Sequence, residues 1–213
     1  MDGTFFNQME PNPTHNDELR LWWHLSREGD SHAFYAIHRE LFGGLYNYAY
    51  KLLQDKDLAN DTVQELFVKI WTKREQIGEI DKVKPYFFTL MRRQILNQLR
   101  NLRLHNLKIS MMARPDIDFS PEEIVVKNEE TRSLQNKITE LLNELPKRQK
   151  EVIYLHYFED LDYTQIAAIM GINYQSVLNL TQKAMQKLRS ANLLGLLLSF
   201  IALYKQYGQG SRL

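Results

Sequence analysis

The chain of 213 residues contains no cysteine, few glycines (9) and few prolines (6). Without cysteine there is no disulfide framework and no thiolate metal site. Its most apolar stretch, LLGLLLSFIAL (Leu193 to Leu203), falls short of the ~18–20 residues needed to span a bilayer. That stretch reads instead as a packing or partner-binding helix, expected to dock onto the second domain. The N-terminus, MDGTFFNQMEPNPTHNDE, lacks a basic start followed by an apolar core, so no secretory signal is expected and a cytoplasmic protein is. The histidines lack ligand spacing, since His32 and His38 lie too far apart for adjacent turns of one helix face, and no metal site is expected. There is no nucleophile–base constellation, no GxxxxGKS/T phosphate loop and no HExxH. An enzyme is therefore not expected, nor a cofactor. Hydrophobic residues make up 44% of the chain, which excludes a wholly disordered one.

Acidic residues are missing in particular places. From Lys82 to Lys108 the chain carries seven basic residues and no acid, and after Asp162 there is no acid at all. Between Met111 and Glu144 the balance reverses, with eight acids against four bases. The formal net charge of +1 hides this alternation, which points to a polyanion-binding protein whose basic faces are local. Solvated helix faces are the plainer account of such runs.

What remains is helical periodicity, with no sustained period-two alternation. Asp30 can cap a helix whose inner face holds Ala33, Phe34, Ile37 and Leu41. Gly43-Gly44 is expected to mark a bend before Leu45, Tyr48, Ala49, Leu52 and Leu53 resume the stripe. A further helix is expected from near Asp57 through Trp71, and another opening near Pro85, a residue suited to a first helical turn. After Lys108 the pattern degrades around Pro115 and Pro121 and reads as a linker. Periodicity returns with Leu134, Ile138, Leu141, Leu142 and Leu145, stops at Pro146, and resumes from Lys147 to Phe158. The expected fold is all-α, with two small helical domains joined by a flexible acidic linker. The boundaries are a disordered segment 1–16, a first domain 17–108, a linker 109–129, a second domain 130–192 and the apolar tail 193–213.

In the second domain Asp162 and Gln165 have the spacing of a capping box opening a short helix through Met170. Gly171 stands where a tight turn needs positive φ, and Asn173 can cap the next helix. That helix buries Val177, Leu180, Ala184 and Leu188 and turns Gln175, Ser176, Asn179, Gln182 and Lys183 outward. This is the pattern of a helix-turn-helix, whose second helix enters the major groove of duplex DNA. Gln and Asn can bond adenine bidentately, and Lys183, Lys187 and Arg189 suit phosphates. A plain three-helix bundle with a polar face is the alternative.

In the first domain Phe88, Met91, Ile95, Leu99 and Leu102 recur at three and four and make a buried stripe. Arg92, Arg93, Asn97 and Arg100 project elsewhere, beside Tyr86 and Phe87, with Arg103 and Lys108 further along. Cations interleaved with aromatics suit a single strand, because base–aromatic stacking contributes ~1–3 kcal/mol per base. For Tyr86 and Phe87 both roles, stacking surface and core, stand open.

Taken together, the two halves resemble a bacterial sigma factor of the extracytoplasmic-function type, of the sigma-70 family, over most of the chain from about Asp17 to Ala191. GDSHAF (Gly29 to Phe34) looks like that family's opening signature. ANDTVQELFVKIW (Ala59 to Trp71) is similar to its most recognisable motif, here Asp61, Gln64, Glu65, Phe67 and Trp71. LPKRQKEVIYLHYFEDLDYTQIAAIMGI followed by SVLNLTQKAMQKLR resembles its promoter-binding helices. The resemblance implies a transcription initiation factor that binds core RNA polymerase through Asp61, Gln64 and Glu65. It implies that the first domain melts and reads the minus-ten element through Tyr86, Phe87, Arg92, Arg93, Asn97, Arg100 and Arg103. It also implies that the second domain reads the minus-thirty-five element through Asn173, Gln175, Ser176, Asn179, Gln182, Lys183 and Lys187. An inhibitory anti-sigma partner, often membrane-tethered, is implied as well. Departures are Tyr86-Phe87 in place of Trp-Leu, Arg93 in place of Asn, Asn97 in place of Asp, and Leu178 at a position often basic. Promoter elements so named lie ~25 base pairs apart, about 85 Å at 3.4 Å per pair. Domains of radius near ~13 Å leave roughly 60 Å for the linker to cover. Twenty residues reach at most ~66–72 Å, so the tether is expected to be nearly stretched, its acids suited to a basic polymerase channel. A stand-alone helix-turn-helix repressor or activator is the alternative, as is an RNA-binding or adaptor protein.

Overall fold

The structure, a computed structural model, describes residues 15–105, 116–120 and 129–190. The described residues form eight helices and no strand. They are α1 (His15–Arg27), α2 (Ser31–Leu53), α3 (Lys56–Lys73), α4 (Val83–His105), α5 (Glu129–Asn143), α6 (Lys147–Tyr157), α7 (Tyr163–Met170) and α8 (Tyr174–Ser190). Lys108, residues 1–14, most of the linker and the tail from 191 lie outside the described residues. Among the described residues no helix is long and apolar enough to cross a membrane.

Local chemistry sets the helix starts. Asp30 accepts hydrogen bonds from the backbone N–H of His32 (2.8 Å) and Ala33 (3.1 Å), and Asp55 accepts one from Leu58 N–H (3.0 Å). Both satisfy donors that the first turn of a helix leaves without partners. Asp162 and Gln165 form the reciprocal capping box: Gln165 N–H donates to Asp162 at 2.8 Å and Asp162 N–H donates to Gln165 Oε1 at 2.9 Å. Gly171 then takes φ 63°, where its N–H and that of Ile172 return to the carbonyls of Ala168 and Ala167.

In the first half, α2 runs through the middle, packed by α1, α3 and α4. Its inward face carries Ala33, Ile37, Leu41, Leu45, Tyr48, Ala49 and Leu52, all buried at helical spacing. Trp23 of α1 is fully buried and pins the turn before α4 by donating its indole N–H to Gly78 O at 3.2 Å. The α1 helix was not among the sequence expectations. In the second half α6 and α7 both pack on α8.

One expectation is corrected. Gly43-Gly44 makes no bend, because α2 is helical without interruption from Ser31 to Leu53. A β-carbon at Gly44 would lie 2.6 Å from Oε2 at the end of the Glu159 side chain of the second half. In the free chain the two halves lie against each other, whereas the nearly stretched tether is the expectation for the protein spread over two promoter elements. α4 packs on α7, and one continuous apolar cluster joins both halves. Residues 116–120 of the expected linker fold into the seam, with Ile117 and Phe119 buried. Asn143 clasps Phe119 by two hydrogen bonds of 2.8 Å, and Lys51 Nζ donates to Asp118 O at 2.7 Å. Asp116 pairs with Lys147 (3.2 Å) and Lys150 (3.3 Å).

Replacing Asp162 with Ala removes the side-chain arm of the capping box and leaves the backbone N–H of residue 162 on Gln165. The change is expected to lower the unfolding free energy by about 1 kcal/mol, while Asn keeps most of it, as checked by urea unfolding.

Candidate nucleic-acid and polymerase interface

On α4, Tyr86, Arg93, Asn97 and Arg100 fall at spacings of seven, four and three and so share one stripe. Arg93, Asn97 and Arg100 are exposed and Tyr86 is half-buried. Arg100 donates to Asn97 Oδ1 at 3.3 Å, which ties two members of the stripe together. Burial raises the pKa of Tyr86 while the nearby Arg93 charge opposes the rise, so the phenol stays neutral and its ring stands next to a cation. No acid lies on this helix. A neutral ring beside guanidinium groups can stack a base and hold its phosphates. The side chain of Arg103 lies outside the described residues.

Two residues expected on this stripe lie elsewhere. Phe87 is fully buried, its ring 5.4 Å from Phe67 and 6.3 Å from Tyr86. It is a core residue as placed, one step of about 100° around the helix from Tyr86. Arg92 turns toward the second half, where Nε lies 2.8 Å and Nη2 3.2 Å from the two oxygens of Glu151. The Tyr48 hydroxyl donates to the same carboxylate at 2.7 Å. Burial works against the Arg92 charge, but the hydrogen bond and charge of Glu151 outweigh it and the guanidinium pKa is raised. Burial, then the Glu151 charge, pushes the Tyr48 phenol well above its ordinary value.

On α3 the outer face presents Asp61, Gln64, Glu65 and the exposed apolar Val68. Glu65 accepts from Gln94 Nε2 at 2.7 Å and pairs with Lys69 at 2.8 Å, which fixes its carboxylate at the α3–α4 edge. Phe67 is buried on the opposite side, and Trp71 packs on Phe34 with Arg74 over its ring at 4.2 Å. The face presents acids and one apolar side chain to solvent.

On α8, Gln175, Asn179, Gln182 and Lys183 are exposed. Gln175 donates to Asn179 Oδ1 at 3.2 Å. Asn173 acts as the cap, accepting from Ser176 N–H at 2.7 Å, so that acceptor is already engaged. Lys187 is drawn back to Glu144, 3.1 Å from its carboxylate and 3.0 Å from its carbonyl. The outward face is therefore polar amides with exposed Lys183 and, near the helix end, exposed Arg189, on the second helix of a tight turn.

This two-part geometry has counterparts. The family model for Sigma-70 region 2 matches residues 37–104, and that for Sigma-70, region 4 matches 135–188. The RNA polymerase sigma factor SigV of Bacillus subtilis (strain 168) is 30% identical over 144 residues, 68% of this chain and 81% of that protein. The ECF RNA polymerase sigma factor SigM of the same organism is 23% identical over 155 residues, 72% of this chain and 91% of that protein. This chain belongs to the extracytoplasmic-function sigma factors.

Solved sigma factor structures share the fold. CnrH in complex with the cytosolic domain of CnrY gives a TM-score of 0.56 at 16% identity, covering 82% of this chain and 97% of that one. The sigma factor RpoE with the anti-sigma factor NepR from Bartonella quintana gives 0.56 at 21%, covering 74% and 94%. Region 2 thus includes α3, the α4 stripe and most of α2, and region 4 includes α6 to α8.

Reading the sequence missed the groups that join these regions: Tyr48, Lys51, Lys84, Glu151 and Glu159. One signal was present. Glu151 stands three and four positions before Tyr154 and Leu155, which puts a carboxylate on the apolar face of its helix.

The contrast between neighbours on α4 is testable by denaturant unfolding. Phe87→Ala is expected to destabilise the sigma factor by about 3–5 kcal/mol, as for a buried aromatic. Tyr86→Ala is expected to cost clearly less, because its ring is only half-buried.

Proposed function

We propose that this sigma factor binds core RNA polymerase through the outer face of α3 and carries two separate DNA readers to a promoter. The α4 stripe would hold an unpaired strand of the minus-ten element, and the amide face of α8 would probe the minus-thirty-five duplex. The observation that carries the reading is the acid-free stripe of half-buried Tyr86 and exposed Arg93, Asn97 and Arg100, set beside the exposed acids of α3 and followed by a helix-turn-helix in one chain. Acids on α3 suit a basic partner helix, and the exposed arginines of α4 would be repelled by the same partner. The two charged faces therefore address different molecules.

Magnitudes assign the labour. Opening duplex DNA costs ~1.4 kcal/mol per base-pair step. A site for one or two bases traps the start of an opening, and the polymerase must hold the rest. Sigma factors of this family act as regulators and not as enzymes, and the chemistry of RNA synthesis belongs to the polymerase. A stand-alone helix-turn-helix regulator would leave the region 2 match without a purpose. An anti-sigma inhibitor is proposed as a further partner, on the strength of the solved RpoE–NepR pair.

Run-off transcription with purified core polymerase tests the reading directly: specific transcripts are expected only when the protein is present. Reversing charge at Asp61 and Glu65 together to Lys is expected to weaken core binding by about tenfold or more, measured by fluorescence anisotropy. Lys183→Ala is expected to weaken duplex binding across sequences and to lower the slope of log affinity against log salt by about one.

A further inference from the structure

We propose that the apolar tail Leu193 to Leu203 seats on one flank of α8 and covers a patch of side chains that region 4 otherwise turns to solvent. Tyr174, Leu178 and Met185 fall at spacings of four and seven, so they form one stripe along α8. It runs beside the buried stripe of Val177, Thr181, Ala184 and Leu188. Tyr174 is 49% exposed, and Leu178 and Met185 are half-buried.

The end of α6 and the start of α7 extend the patch. The Tyr157 hydroxyl lies 3.9 Å from Met185 Sδ, and the His156 ring lies 4.6 Å from the rings of both Tyr157 and Tyr163. Tyr163 in turn meets Tyr174 edge-on at 6.4 Å. These contacts lead from Met185 back to Tyr174, and with Leu178 they make a circuit of six side chains. Each of the six keeps part of its surface in water. The α8 part of the circuit carries no charge, whereas Lys183 stands about 140° around the helix from Leu178. A flank without cations offers nothing to a phosphate, and its apolar surface favours an apolar, uncharged occupant.

The continuation of the chain supplies such an occupant. Residues 191–213 follow α8, and LLGLLLSFIAL carries no charge from Leu193 to Leu203. From Tyr174 to Met185 the stripe is about 17 Å long, and eleven residues cover about 17 Å at helical rise and more when extended. Met185 stands five residues before Ser190, the last of α8, and Asn192 and Gly195 are residue types that let a chain reverse. Covalent attachment to α8 keeps the tail at high effective concentration, so a small apolar contact suffices to hold it. A second copy of the chain lacks that advantage, and a stripe of this length on a helix about 10 Å wide falls far below the ~800 Å² per partner of a stable interface. The seat leaves Gln175, Asn179 and Lys183 outward and so stands apart from the DNA reading above.

The test uses the full chain, which lacks cysteine and so lets a single introduced thiol report cover. Leu178→Cys lies in the seat and Lys183→Cys on the exposed amide face. Their rates of reaction with a chromogenic disulfide reagent are compared with the rates in chains that also carry Leu194→Ser, Leu197→Ser and Ile201→Ser. These three changes remove apolar surface from the tail without adding charge. Leu178→Cys is expected to react about tenfold or more faster when the tail is substituted, while Lys183→Cys keeps its rate. Equal rates for Leu178→Cys in both chains overturn the seating. Equal acceleration of both thiols overturns it too, because region 4 as a whole has then loosened. Protection that is lost on dilution, with a dimer in sedimentation, gives the flank to a second copy and overturns the tail. Should the substituted tail prevent folding, Leu178→Cys is paired in turn with Leu196→Cys, Leu198→Cys and Phe200→Cys. An intrachain disulfide is expected in at least one pair, and cross-linking no better than from Lys183→Cys with the same partners overturns the seating.

Discussion

Glu151 carries its charge into a seam where 8% of its side chain meets water, and the docking of region 4 on region 2 depends on how that charge is satisfied. Removing a carboxylate from water is expensive, and the loss is offset only where geometry is good and the remaining lone pairs find donors. Arg92 supplies two donors and the Tyr48 hydroxyl a third, so α4 and α2 together meet the need. Such an ion pair contributes less to net stability than to fixing which surfaces meet. Around it the aromatic rings do the apolar work: Tyr48 lies 6.0 Å from Tyr154 and 5.5 Å from Phe88, and Tyr154 lies 5.5 Å from Phe158. The seam combines an apolar floor, which would hold many partners, with a charged register, which admits one.

α2 makes this possible by being buried along much of its length on more than one side. One stripe builds the core of region 2, and the turns holding Gly44, Tyr48 and Lys51 also face region 4 and the linker. Lys51 is 4% exposed, with its charge met by Asp118 O and the faces of Phe119 and Tyr154. A helix that serves two neighbours cannot place its residues for one alone.

What was legible in the sequence is what short-range chemistry decides. The caps at Asp30, Asp162 and Asn173 and the turn at Gly171 involve residues two to four apart, and each forms as the residue types require. The buried stripe through Phe88, Met91 and Ile95 followed from helical period in the same way. The seam was not legible, because its bonds join residues 59, 75 and 103 positions apart and leave no periodic trace. Gly43-Gly44 shows how the error arises: without the helices packed around α2, two glycines have only a local meaning, and the local meaning is a bend. The linker was read from its prolines and acids, which describe an unpacked segment well. They say nothing of Ile117 and Phe119, whose burial needs walls contributed by other parts of the chain.

The adjacent pair Arg92-Arg93 carries the remaining step. Consecutive residues on a helix point about 100° apart, so two identical side chains on neighbouring positions enter different environments. Arg93 faces water beside Tyr86, with Asn97 and Arg100 continuing its stripe. Arg92 faces the seam, where its charge is bound by Glu151. The pair is largely closed to solvent, so this guanidinium does not share the water that surrounds Arg93. An acid-free helix is therefore not an evenly available row of charge, because the second half supplies to Arg92 the acid that α4 itself lacks.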